Sequence, residues 1–204
     1  MRRTFTFWGL SLVVLLAAAG CASPPVHASF GRPTRQAVRL AQAAEGQVGR
    51  TIRYDARYVP LRYPGGDVPM DRGACSDVVV RAFRTRGVDL QVEVHRDMMA
   101  AWSAYPHLWG LRAPDPNIDH RRVPNLEVFF RRRGKALPVT ARGTDYWPGD
   151  IVSWRIGRSP HIGIVSTRLA PSGTRYLVAH NDGRGVQVED VLFAFRIVGH
   201  FRYF

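Results

Sequence analysis

The chain has 204 residues, of which 46% are hydrophobic and 22% charged. These are globular values, and they allow one ordinary domain with an appended tail while excluding a disordered chain. The net charge of +13, or +11 once the two charges of Arg2 and Arg3 are removed with a leader, favours polyanionic surfaces. Lys135 is the only lysine, however, so the arginine bias speaks as much for a GC-rich coding sequence as for a ligand.

Residues 1–21 have the three parts of an export signal. Arg2 and Arg3 are basic, Phe5 to Ala19 form an apolar run too short to span a bilayer comfortably, and "AAAGC" supplies small residues before a cleavage point. Residues 22–31, "ASPPVHASFG", read as a tether, and residues 32–204 as a single domain. An amphipathic helix is expected over 33–49, with Pro33 at its start and apolar Ala37, Val38, Leu40, Ala41 and Ala44 on one face. "YPGGDVP" (63–69) is turn material, and a helix beginning near Cys75 should stop at Gly87. A second helix is expected over 96–104, then a loop over 113–124 and a short helix in "NLEVFFRRRG".

From Asp150 onward the pattern changes to short β-branched and aromatic segments separated by turn residues: "IVSWRI", "HIGIVST", "RYLVAH", "GVQVED" and "FRIVGHFRYF". Helices followed by adjacent strands predict an α+β domain with an antiparallel sheet. There is no glycine-rich phosphate loop, paired-cysteine zinc signature or Gly-x-Ser-x-Gly elbow.

The chain has two cysteines. If Cys21 carries lipid, Cys75 has no partner for an intramolecular disulfide, although exported domains normally use cysteines in pairs. At a helix start its sulfur lies near unsatisfied N–H groups and the positive end of the helix dipole, which favour thiolate. The competing reading is an inert core thiol, since free cysteine is among the most buried residue types. His161 opens one strand and His180 closes the next. In an antiparallel hairpin those two ends lie side by side. One imidazole can then serve as base and the other as its orienter, the logic of a nucleophile–base–orienter triad.

The stretches "YPGGDVP…ACSDVV", "WPGDIVSW", "HIGIV" and "VAH" resemble the papain-like cell-wall amidases and endopeptidases of the NlpC and CHAP group. More closely, residues 54–203 resemble the bacterial family called domain of unknown function 1287, with "NIDHRRVPNL", "PGDIV" and "PHIGIV" as the most specific pieces. The resemblance implies a papain-like α+β fold with Cys75 as nucleophile, His161 as base and His180 as third member. It further implies that Tyr63 leans over the nucleophile and that no metal or organic cofactor is needed. Separately, "AAAGC" resembles the end of a bacterial lipoprotein signal, with Cys21 as the lipid-attachment residue. An exported chain lacking Asp after that cysteine would sit on the periplasmic side of an outer membrane, where the cell has one. Its partners would be peptidoglycan or another wall polymer and the membrane through its anchor, not nucleic acid, and the chain would act as a monomer.

Further candidates remain open on sequence. Asp77 replaces the usual glycine after Cys-Ser and brings a carboxylate close to the thiol. Asn181 and Asp182 compete with His180 for the orienting role. Asp119 and His120 either line the cleft or, for Asp119, form a loop ion pair with Arg121 or Arg122. Asp150 reads as a turn residue before a buried strand. Two other functions compete: an exported zinc hydrolase using His161, His180 and His120 or Asp119, and a non-catalytic wall-binding lipoprotein.

Overall fold

Helices come first and the sheet follows, in a computed structural model that describes Met1 and residues 32–204. The signal, the lipid-attachment residue Cys21 and the tether over 22–31 lie outside the described residues. Helix α1 (Arg35–Glu45) begins where Thr34 caps it, its hydroxyl accepting from the Ala37 N–H at 3.0 Å. Ala37, Leu40, Ala41 and Ala44 are its buried face, as the spacing predicts. Two-residue strands β1 (Arg53–Tyr54) and β2 (Arg72–Gly73) pair in parallel just ahead of α2 (Cys75–Arg84). Helix α2 ends three residues before Gly87, which adopts φ 75° in the turn that follows.

Helix α3 (Leu90–Ala100) starts six residues earlier than expected, because Asp89 caps it by accepting from the Gln91 N–H. A 3₁₀ turn over Trp102–Ala104 takes the rest of the expected segment. The loop before α4 (Val123–Arg132) contains another 3₁₀ turn, Asp119–Arg121.

The sheet has five antiparallel strands, β3 (Ile151–Ile156), β4 (Ser159–Leu169), β5 (Tyr176–Asn181), β6 (Val186–Glu189) and β7 (Arg196–Phe201), in the order β6-β5-β4-β3-β7. Strand alternation divides the apolar residues between two faces. Ile151, Ile162, Ile164 and Ala179 join the main core with Leu40, Val79, Phe83, Leu126 and Phe130 of the helices. Val152, Trp154, Val165 and Val178 form a smaller core with Tyr146 and Leu192 on the other side. Among the described residues no helix is long and apolar enough to cross a membrane. The domain is thus α+β, with N-terminal helices against a C-terminal antiparallel sheet and Cys75 at a helix start.

Candidate active site

Cys75 is the first residue of α2, and Ala74 occupies the cap position without a side chain able to cap. The N–H groups of the first turn therefore keep donors to spare. The backbone N–H groups of Cys75 and Ser76 act on the sulfur from within the helix, and the Ile162 N–H does so from β4. His161, the expected base, is the residue immediately before Ile162. The Cys75 side chain is only 3% exposed. Burial is the dominant influence and pushes its thiol up to about 11, with the Asp77 charge adding to it against the pull of the three N–H groups. The helix start on its own favours thiolate; burial reverses that preference, so the resting group is a thiol.

His161 and His180 meet as the strand order predicts. His161 Nε2 and His180 Nδ1 lie 2.9 Å apart, with the rings edge to face at 5.1 Å. Gly163, between them in the weave, leaves the space: a Cβ there would stand 2.8 Å from the Ala179 carbonyl and 3.1 Å from His180 Cβ. His180 Nε2 faces Glu189 Oε2 at 3.2 Å, and Arg184 holds both oxygens of that carboxylate at 2.9 and 3.1 Å.

A carboxylate only accepts, so the His180 proton belongs on Nε2 and its Nδ1 must accept. His161 then donates from Nε2, leaving Nδ1 as its basic atom. Burial, and next the neighbouring His180, lower the pKa of His161 to about 4. Burial also lowers that of His180, with Asp182 and Glu189 opposing. At neutral pH both rings are uncharged.

The thiol opens into a cleft of about 400 Å³ lined among others by Tyr54, Ser159, Pro160, Trp109 and Arg122. Neither imidazole lines that open space. Tyr54 on β1 lines the cleft together with Cys75, and desolvation followed by the Cys75 and Asp77 charges raises its hydroxyl to about 12. Tyr54 therefore stands where Tyr63 was expected. Tyr63 instead packs edge-on against His95 at 5.5 Å, away from the cleft. The correction has a topological cause: the β1–β2 bridge sets Tyr54 beside Gly73, two residues before the thiol. Only that pairing could have signalled it.

Asp77 does not line the cleft. Its oxygens accept from the Ala74 N–H at 2.6 Å and from Arg121 at 2.8 and 2.9 Å. Arg121 also donates to the carbonyls of Asp55 and Arg57, and accepts through its own carbonyl from Ser76 Oγ. This buried pair fastens the turn that carries Cys75 to the "NIDHRR" segment and to the chain after β1.

Asp119 and His120 are buried outside the cleft as well. The partner of Asp119 is His95, at 2.8 Å, rather than Arg121 or Arg122. His120 Nδ1 has no partner among the described residues, and burial lowers its pKa to about 3. Asn181 donates to the Gly73 and Arg53 carbonyls, tying β5 to the small parallel pair, while the orienting contact belongs to His180. Asp150 accepts from the Trp147 N–H, His200 and Arg202, in keeping with a structural turn.

The zinc reading called for His161 and His180 with His120 or Asp119. Among the described residues, the one group of three donors close enough for an ion is His180, Asp182 and Glu189, which includes neither of the latter pair. Arg184 already lies across its two carboxylates.

Comparison with known proteins adds the family. The curated Escherichia coli (strain K12) "Uncharacterized protein YijF" is 53% identical over 184 residues, covering 90% of this chain and 88% of that protein. Two solved structures are similar at low identity: NlpC1 from Trichomonas vaginalis (15% identity, TM-score 0.45) and NlpC2 from the same organism (13%, TM-score 0.44). They match 82% and 86% of this chain, which spans only 44% and 49% of their length. The family model described as "Domain of unknown function (DUF1287)" matches residues 41–203, and the chain belongs to that family.

Proposed function

We propose that this protein is an exported cysteine hydrolase that cleaves amide bonds in peptidoglycan peptides or at their link to the glycan. The observation that carries the reading is a helix-start thiol that opens into a cleft and is met by the N–H of Ile162, the residue beside His161, with His161 in turn linked to His180 and Glu189. Because thiol and imidazole are both neutral at rest, the Cys75 proton leaves as sulfur attacks the carbonyl, and His161 Nδ1 receives it. The new imidazolium is held by His180, whose far nitrogen is anchored on Glu189. The uncapped N–H groups of Cys75 and Ser76 are suited to the developing oxyanion. His161 then protonates the leaving amine, and water attacks the thioester with His161 again taking the proton.

Lipidation at Cys21 would hold the enzyme beside its polymer, on the periplasmic side of an outer membrane where the cell has one. The test is release of soluble fragments from purified sacculi by wild type, Cys75→Ala and His161→Ala proteins. Wild type should release them, and each variant should be slower by at least about a hundredfold. Equal release by Cys75→Ala, or release abolished by a chelator and indifferent to thiol reagents, would overturn the reading. Retention of sacculi without any release would favour a binding protein.

A further inference from the structure

Trp109 and Pro160, which line the active-site cleft, also line a second, larger cavity of about 540 Å³. Its charged groups are Glu127, Arg131, Arg155 and Arg158. Glu127 is buried, and both its oxygens accept from Arg155, at 2.8 and 3.0 Å. That pair is internally neutralised and fixed in place. Arg131 approaches Glu127 only to 3.9 Å, with nearly half its side chain exposed. Arg158, at the β3–β4 turn, pairs with no carboxylate among the described residues. The basin thus carries one buried carboxylate against three guanidinium groups, two of them with donors to spare.

The wall shared by basin and cleft carries an exposed indole. Trp109 is 60% exposed, an unusual setting for so large an apolar ring, and its backbone has φ 56°, the left-handed region bulky residues avoid. The Arg122 guanidinium lies 4.5 Å from the ring centre and braces it. A ligand reaching from Cys75 over this ridge would present its next group to Arg131 and Arg158.

We propose that the basin is a substrate subsite for an anionic group, a carboxylate or a phosphate, borne by the molecule whose carbonyl is attacked at Cys75. This assignment rests on the hydrolase reading, and it narrows the substrate to an acidic one. Arg131 and Arg158 make the contacts, Arg155 with Glu127 forms the rigid wall, and Trp109 sets the distance between the anionic group and the reacting carbonyl.

Binding to full-length Cys75→Ala protein, measured by calorimetry, tests the subsite without requiring turnover. The probes are acetyl-Ala-Glu-Ala amide, its Gln counterpart and its phosphoserine counterpart. At least one anionic peptide should bind about tenfold more tightly than the neutral one, and more weakly as salt rises. Preference for the Glu peptide would identify a carboxylate site, and preference for the phosphoserine peptide a phosphate site. Arg131→Gln/Arg158→Gln should abolish the preference while leaving the melting temperature within a degree or two, since both side chains are solvent-facing. Equal affinity for all three peptides, no binding of any, or a preference that survives the double variant would overturn the proposal. Failure of the hydrolase reading is seen elsewhere, as wild type that releases no fragments from sacculi.

Discussion

His180 is placed by what it gives and what it receives. Its Nε2 can only donate to Glu189, and its Nδ1 can only accept from His161. Glu189 therefore acts as a positioning residue, selecting the tautomer that leaves His161 Nδ1 free. Glu189→Gln retains an acceptor oxygen and should keep most of the hydrolysis rate. Glu189→Ala removes it and should lower the rate by roughly tenfold, about the worth of one hydrogen bond. Its rate should also respond differently to pH, because the wrong tautomer becomes accessible. Equal rates for the Gln and Ala variants would argue against this role. The meeting of His161 and His180 was legible in the sequence because they fall near the start and end of successive strands, and so was the place of Cys75 at a helix start. Glu189 was not, since only the β5–β6 pairing sets it near His180.

Helix α2 starts where a buried ion pair holds it. Arg121 reaches Asp77 across 44 positions of chain, which explains why Asp77 read as a cleft residue from its neighbours alone. A separation of 24 positions likewise hid the partner of Asp119, because His95 comes from α3. Removing one member of such a pair strands the other in the interior. Arg121→Ala should therefore lower unfolding stability by about 3 kcal/mol or more in urea melts. Asp77→Ala/Arg121→Met, which removes both charges, should recover part of that loss. A single variant as stable as wild type would contradict the clamp. Element type and order were readable from periodicity, whereas element ends were less so. Helix α3 starts after its Asp89 cap, not at the expected Arg96.

Three buried histidines couple the whole molecule to acidity. His120, His161 and His180 all have lowered pKa values in the fold, the first two to about 3 and about 4. An unfolded chain takes up protons at each near pH ~6.5, whereas the native one refuses them until lower pH. Stability is therefore complete above pH ~6.5 and falls as the pH drops toward the native values, by up to about 1.4 kcal/mol per pH unit for each histidine. Melting temperature measured from pH ~7.5 to pH ~4.5 should fall over that window, and less steeply in His120→Leu. A flat profile would contradict it. The α+β arrangement was legible from the change in pattern at Asp150. The second, smaller core around Trp154 was not, because its cover comes from Tyr146 and Leu192 in connecting segments that carry no periodic signal.

A cysteine kept as a buried thiol is sheltered from oxidants. Peroxides and disulfides react with thiolate, and they react fastest where it is exposed. At rest Cys75 is a thiol and, although it borders the cleft, only 3% exposed. The same burial that withholds charge from the sulfur would let the protein wait in an oxidising compartment with its one described cysteine still reduced.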